Sequence, residues 1–225
     1  MLLQGCDTQK YDMDAIISLG KVAPVSISID NHIYTDPSEN PFLKGLDDLS
    51  RPFQDKKVMS NEEMGFYDSF VIDFLSTYRS NAWPDILDLS EIRPNTLYRQ
   101  WKSTRGTDNY IPLNLNFIRL NKENSVLLCA GLNVDAVASF DFVYQYSNKT
   151  DSSNSYHYQL LCNVILFNTE GDEIVNYIFE SDPASFYTED YTEGPVFGPL
   201  SMAFYEEITT SFLMNFETQL NAFQE

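Results

Sequence analysis

Apolar and polar residues alternate over Val22–Ile29, where Val25, Ile27 and Ile29 are interleaved with Ser26 and Ser28. A period of two predicts a half-buried strand, and Pro24 puts its start there or sets it at a sheet edge. The period changes at Ser60. Ser60 and Glu63 have the spacing of a capping box. Behind them Met64, Tyr67, Phe70, Val71, Phe74, Leu75 and Tyr78 form an i, i+3, i+4, i+7 stripe, which predicts a helix with one face on a sheet. Residues 86–89 read as a short second strand, and a helix starts at Asn95 or Thr96 and is ended by Gly106. Alternation over Ile111–Leu120 reads as a strand, and Asn124–Leu132 as a short helix with Gly131 near its carboxyl end.

The clearest alternation runs from Ala136 to Tyr146. Ala138, Phe140, Phe142 and Tyr144 fall on one side, and Ser139, Asp141 and Gln145 on the other. A strand of that length reaches about 36 Å. Tyr156–Phe167 is a second long strand, apolar on both faces toward its end. Asn168–Asp172 is a hairpin turn in which Gly171 supplies positive φ, and Glu173–Glu180 is the return strand. From Pro199 to Phe223 a helix carries Phe204, Ile208, Phe212, Phe216 and Leu220 in steps of four, widened by Leu213.

Two amphipathic helices need a common sheet to bury against. The order of elements therefore predicts an α+β fold: one mixed, largely antiparallel sheet with the helices packed mainly on one face. Residues 1–20 read as a remnant lipobox and tether. Residues 21–225 read as a single domain with loop insertions at 30–58 and 181–198.

Composition excludes several functions. The 225 residues contain 33 Asp plus Glu against 14 Lys plus Arg, a formal net charge of −19. Such a chain repels phosphate backbones and anionic head groups, so nucleic acid is not an expected partner and lipid is met only through an anchor. With two His and three Cys, a His-rich metal site is ruled out. No metal or cofactor is expected.

Near the amino terminus, Leu3-Gln4-Gly5-Cys6 resembles the lipobox of bacterial lipoproteins, with a small residue before the cysteine that takes the lipid. Five residues before Cys6 are fewer than a complete leader requires. The expectation is lipidation at Cys6 and a lipid-anchored, periplasm-facing place in the bacterial envelope. The alternative is a chance Gly-Cys pair in a cytoplasmic protein. Cys129 and Cys162 lie in apolar runs and read as buried small hydrophobes, with a disulfide between them as the minor alternative.

The second half, with Gly131-Leu132-Asn133-Val134-Asp135 between a short helix and a long strand, then a hairpin with Glu170-Gly171-Asp172 at its turn and a terminal helix, resembles the curli-secretion lipoprotein CsgG and the amino-terminal domain of TolB. The resemblance covers roughly residues 122–225. It implies an envelope lipoprotein of accessory or scaffold type, usually without catalysis.

The chain carries no Gly-x-Ser-x-Gly elbow, phosphate-cradling glycine loop, Cys-x-x-Cys pair or His-Glu-x-x-His motif. His32 and His157 are single polar residues for which catalysis is the minor reading, and no catalytic residue is assigned. Carboxylate pairs such as Glu206-Glu207 read as solvated surface. Neither Asp7–Asp14 nor Asn168–Glu173 has the spacing of a calcium loop. The aromatic residues of the 181–198 loop, Phe186, Tyr187, Tyr191 and Phe197, form the candidate partner surface. The alternative is that they fold back and cover a sheet edge. The leading expectation is a non-catalytic scaffold that meets an envelope protein, basic in charge. The alternatives are a periplasmic small-ligand or cation-binding protein and, at lower weight, a hydrolase.

Overall fold

A computed structural model describes residues 10–34, 61–80, 85–101, 110–113, 115–116, 118–147, 155–182, 184–187 and 202–222. Its elements in chain order are β1 (Lys10–Tyr11), α1 (Met13–Ile17), β2 (Lys21–Tyr34), α2 (Asn61–Ser80), β3 (Asp85–Ile86), α3 (Leu89–Ile92), α4 (Thr96–Gln100), β4 (Tyr110–Pro112), α5 (Lys122–Leu132), β5 (Ala136–Ser147), β6 (Ser155–Asn168), β7 (Glu173–Glu180), β8 (Ala184–Tyr187) and α6 (Met202–Ala222). The fold is α+β. One mixed sheet runs in the order β1-β7-β6-β5-β2-β3, with β4 also on β2 and β8 also on β6. Five of the seven pairings among the described residues are antiparallel; β2 runs parallel to β3 and β5.

Both long helices follow their stripes onto one sheet face. Tyr67, Phe70, Val71, Phe74 and Leu75 of α2 are buried, as are Ile208, Phe212 and Phe216 of α6. They meet Phe140 and Phe142 of β5 in a mainly edge-to-face aromatic cluster. Phe74 lies 5.0 Å from Phe140, and Phe212 5.6 Å from Phe142. Phe216 reaches Phe179 of β7 at 4.6 Å. Such pairs add about 0.5–1.5 kcal/mol each beyond their buried area.

Several sequence expectations need correction. Residues 10–20, read as tether, fold onto the sheet: Lys10 and Tyr11 pair with Asn176 and Val175, and Ile16 is buried. Asp12 caps α1 by accepting from the Ala15 amide at 3.0 Å. A two-residue strand and a five-residue helix carry too few apolar positions for a period to show.

The loop expected from residue 30 starts later, because β2 runs to Tyr34. Residues 184–187 form β8 rather than loop. Gly131 lies near the carboxyl end of α5, as expected, but is not its left-handed cap. The left-handed residue there is Asn133, with φ 54°, and Gly131 sits inside the helix where a Cβ would come 2.2 Å from Leu97 Cδ2. The helix at residue 96 does begin behind Asn95, whose Oδ1 accepts from the Leu97 and Tyr98 amides, but it closes at Trp101 instead of running toward Gly106. Among the described residues of Ile111–Leu120, Ile111 and Pro112 are strand, in β4; Asn116 and Ile118 spend their amides on side-chain oxygens of Tyr98 and Ser26. Ser60 lies outside the described residues.

Candidate functional site

Of the residues singled out from the sequence, Cys6, Tyr191 and Phe197 lie outside the described residues. Phe186 and Tyr187 fall on β8, where their Cα atoms oppose Tyr156 and Ser155 of β6. His32 lies in β2 where the pairing with β5 is irregular. His157 lies in β6, opposite Ser147 and Ser185. Cys129 and Cys162 are free, buried thiols. Burial, with Asp135 nearby, pushes the Cys129 thiol up to about 11. Burial, with Asp141 nearby, raises Cys162 well above its ordinary value. Both are therefore inert hydrophobes rather than nucleophiles.

The joint between β7 and β8 is built by one serine. The Ser181 amide donates to the Leu160 carbonyl at 2.9 Å, and its Oγ accepts from the Leu160 amide at 2.9 Å. A side-chain oxygen thus replaces a backbone carbonyl in the ladder, which lets the chain step past Asp182 and rejoin β6 as β8. The next amide, that of Asp182, donates to Ser211 Oγ of α6 at 3.1 Å. This contact fixes α6 against the joint.

An open hollow of about 530 Å³ results, lined by Asp182, Glu206, Glu207, Thr210, Ser211, Met214 and Asn215. The α6 members recur at helical spacing and so share one face. Asp182, Glu206 and Glu207 are exposed, and Met214 is 66% exposed beside them. The site therefore offers negative potential with an apolar, adaptable thioether in its lining. From sequence Glu206 and Glu207 read as solvated surface; only the Ser211 contact reveals that Asp182, distant along the chain, joins them.

A second polar arrangement lies on the sheet face opposite α2 and α6. The register puts Ser26 and Ser28 beside Ser139 and Asp141, and Asp141 opposite Asn163. Ser28 Oγ donates to Asp141 Oδ1 at 2.6 Å, and Ser26 Oγ accepts from the Ile118 amide. Ser28, Asp30, Ser139 and Asn163 are buried, whereas Asp141 is half-buried. The Oδ1 of Asn163 is buried and accepts no hydrogen bond. The sequence pattern put Ser139 and Asp141 on the polar side of their strand, a side that reads as uncovered when taken alone. The signal against that was in β6, whose run is apolar on both faces and so required cover on both.

No family model matches the chain, and none of the curated proteins is significantly similar to it. Among solved structures, the hypothetical protein CT253 from Chlamydia trachomatis overlaps 90% of this chain and 98% of its own, at 11% identity and a TM-score of 0.31. An overlap of that quality is too slight to carry fold or function across.

Proposed function

We propose that the chain is a non-catalytic accessory or scaffold protein of the bacterial envelope, held by lipid on Cys6, that docks a basic protein partner in the hollow between α6 and the β7–β8 joint. The observation that carries the docking is the hollow itself, whose lining includes three exposed carboxylates and an exposed Met214. Long-range attraction brings a basic surface in, and the thioether supplies adaptable apolar contact once water is expelled. The net charge of −19 adds to the steering. The anchor is supported by Leu3-Gln4-Gly5-Cys6. The kinship with CsgG and the TolB amino-terminal domain rests on the sequence motifs alone, Gly131-Leu132-Asn133-Val134-Asp135 and Glu170-Gly171-Asp172.

Two measurements in cells bearing the verified full-length gene test the two parts. A photo-crosslinking residue at position 214 is expected to trap a basic protein, and Glu206→Lys with Glu207→Lys is expected to abolish the adduct. Absence of an adduct, or one indifferent to charge reversal, rejects the docking. Labelled palmitate is expected to enter the wild type and not Cys6→Ser; no label in either rejects the anchor.

A further inference from the structure

We propose, building on the docking reading above, that the basic partner enters as an extended strand added antiparallel to the outer edge of β7 over Tyr177–Glu180, with its basic side chains turned toward α6. In an antiparallel ladder, residues that bond one neighbour alternate with residues whose N–H and C=O point the other way. The Ser181 amide donates to the Leu160 carbonyl, and β6 and β7 keep one register from Leu161 opposite Glu180 to Leu166 opposite Val175. Val175, Tyr177 and Phe179 therefore bond β6, and Ile174, Asn176, Ile178 and Glu180 direct their backbone groups outward. The β1 pairing has the same parity: Lys10 opposes Asn176, and the Asp12 amide donates to the Ile174 carbonyl at 3.0 Å. Among the described residues no strand continues past Asn176 along Ile178 and Glu180. An edge of this kind is a template for one more strand.

The hollow opens beside this edge. Gln219 Nε2 of α6 donates to the Glu180 carbonyl at 3.4 Å, and Ser211 Oγ accepts from the Asp182 amide. Ser211, Asn215 and Gln219 are spaced by four and form one row of the helix, so that row follows the edge, and Ser211 and Asn215 line the hollow. The long Gln219 bond is a weak cap on one edge carbonyl, which an added strand would replace. Phe179 packs on Phe216 of α6 at 4.6 Å and on Tyr177 at 5.0 Å, so Tyr177 and Phe179 lie on the α6 face. Directly opposed residues share a face. Positions of the added strand opposite Tyr177 and Phe179 thus turn their side chains toward α6 and their backbone groups away from β7. Positions opposite Ile178 and Glu180 make the main-chain bonds. The carboxylates of Asp182, Glu206 and Glu207 select basic residues at the positions that face α6.

The test is fluorescence anisotropy of a labelled peptide of alternating lysine and valine, titrated with the full chain in about 0.1 M sodium chloride, where charges more than about 10 Å apart are screened. Saturable binding is expected. With the lysines facing α6, the valine amides face β7. N-methylation of the valines is therefore expected to weaken binding about tenfold, and N-methylation of the lysines to leave it unchanged. Glu206→Lys with Glu207→Lys, both on the exposed side of α6, is expected to weaken the unmodified peptide about tenfold. Equal effects of the two methylations overturn the added strand; if charge reversal still weakens binding, docking in the hollow stands without it. Indifference to charge reversal overturns the orientation toward α6. No saturable binding overturns the proposal outright, the edge then being taken by the chain's own residues before Lys10 or by a second copy, which sedimentation velocity tells apart.

Discussion

The hydroxyls of Tyr67 and Tyr144 lie 2.8 Å apart, buried in the seam between α2 and β5. Two polar atoms bonded to each other in an aromatic interface make the position of the helix specific, because sliding α2 along the sheet would break that bond. Tyr67→Phe is expected to destabilise the fold by about 1–2 kcal/mol, since the Tyr144 hydroxyl loses that partner. Adding Tyr144→Phe is expected to recover part of the loss. Urea denaturation of the two single variants and the double variant checks the coupling; strictly additive effects reject it.

Gly131 lies within α5, where alanine would ordinarily gain about 1 kcal/mol. Here the added Cβ meets Leu97 Cδ2 at 2.2 Å and Leu97 Cβ at 3.2 Å. Gly131→Ala is therefore expected to destabilise by about 1–2 kcal/mol. In a Leu97→Ala background the same change is expected to stabilise. An unchanged sign in that background, read by thermal or urea unfolding, would show that the α4–α5 approach does not demand glycine.

Gly171 has φ +75° in the β6–β7 turn, and a Cβ there would lie 2.7 Å from the carbonyl oxygen of Lys122. Two penalties coincide. Left-handed backbone costs alanine about 1–2 kcal/mol, and the clash is with backbone that has no rotamer to move. Gly171→Ala is expected to cost about 2–4 kcal/mol. Asparagine tolerates the dihedral but not the clash, so Gly171→Asn is expected to be nearly as harmful. A fully stable asparagine variant would reassign the whole effect to the dihedral.

Alkaline pH is expected to unfold the protein early. Burial pushes the Cys129 thiol from 9.0 to about 11. Burial also lifts the Tyr98 hydroxyl from 10.0 to about 12, against smaller opposing effects from its bond to Asn116 and from Arg93. Both folded values exceed the unfolded ones. Their stabilising contribution is therefore complete below the unfolded pKa and is lost as pH rises toward the folded value. Stability should fall between pH 9 and 11 through Cys129 and between pH 10 and 12 through Tyr98, by up to about 2 kcal/mol for each. Denaturation of the wild type and Cys129→Ala at pH 8, 9.5 and 11 checks this. The variant should show a shallower decline from pH 9 to 11, and equal slopes would refute the assignment.

The stripe on α2 and the fours on α6 were plain in the sequence because each helix has one dry face, and a one-sided environment writes its period into the residues. The β6–β7 hairpin was plain for a similar reason: Asn168 and Gly171 are the residues its turn requires. Asn168 Oδ1 accepts the amides of Glu170 and Asp172 at 3.0 and 2.9 Å. By contrast α3 was missed. Asp88 and Glu91 do form a capping box there, but four residues are too few to show a period. Asp182 with Glu206 and Glu207, and Asp141 with Asn163, were invisible as groups. Each joins segments whose proximity follows from strand register or helix docking, neither of which has a local signature.

From its sequence alone, this chain determined where its long strands and long helices lie, which side of each long helix is dry, and that its composition is strongly acidic. Those properties depend on neighbours within a few residues and on simple charge. Tertiary structure alone decided that β2 lies parallel to β5, that Lys10 and Tyr11 join the sheet, and that Ser28 of β2 meets Asp141. A parallel pairing joins segments more than a hundred residues apart, and a shift of one residue would turn every side chain to the opposite face. The choice is made by packing the whole sheet between its covers, and no short stretch of sequence contains it.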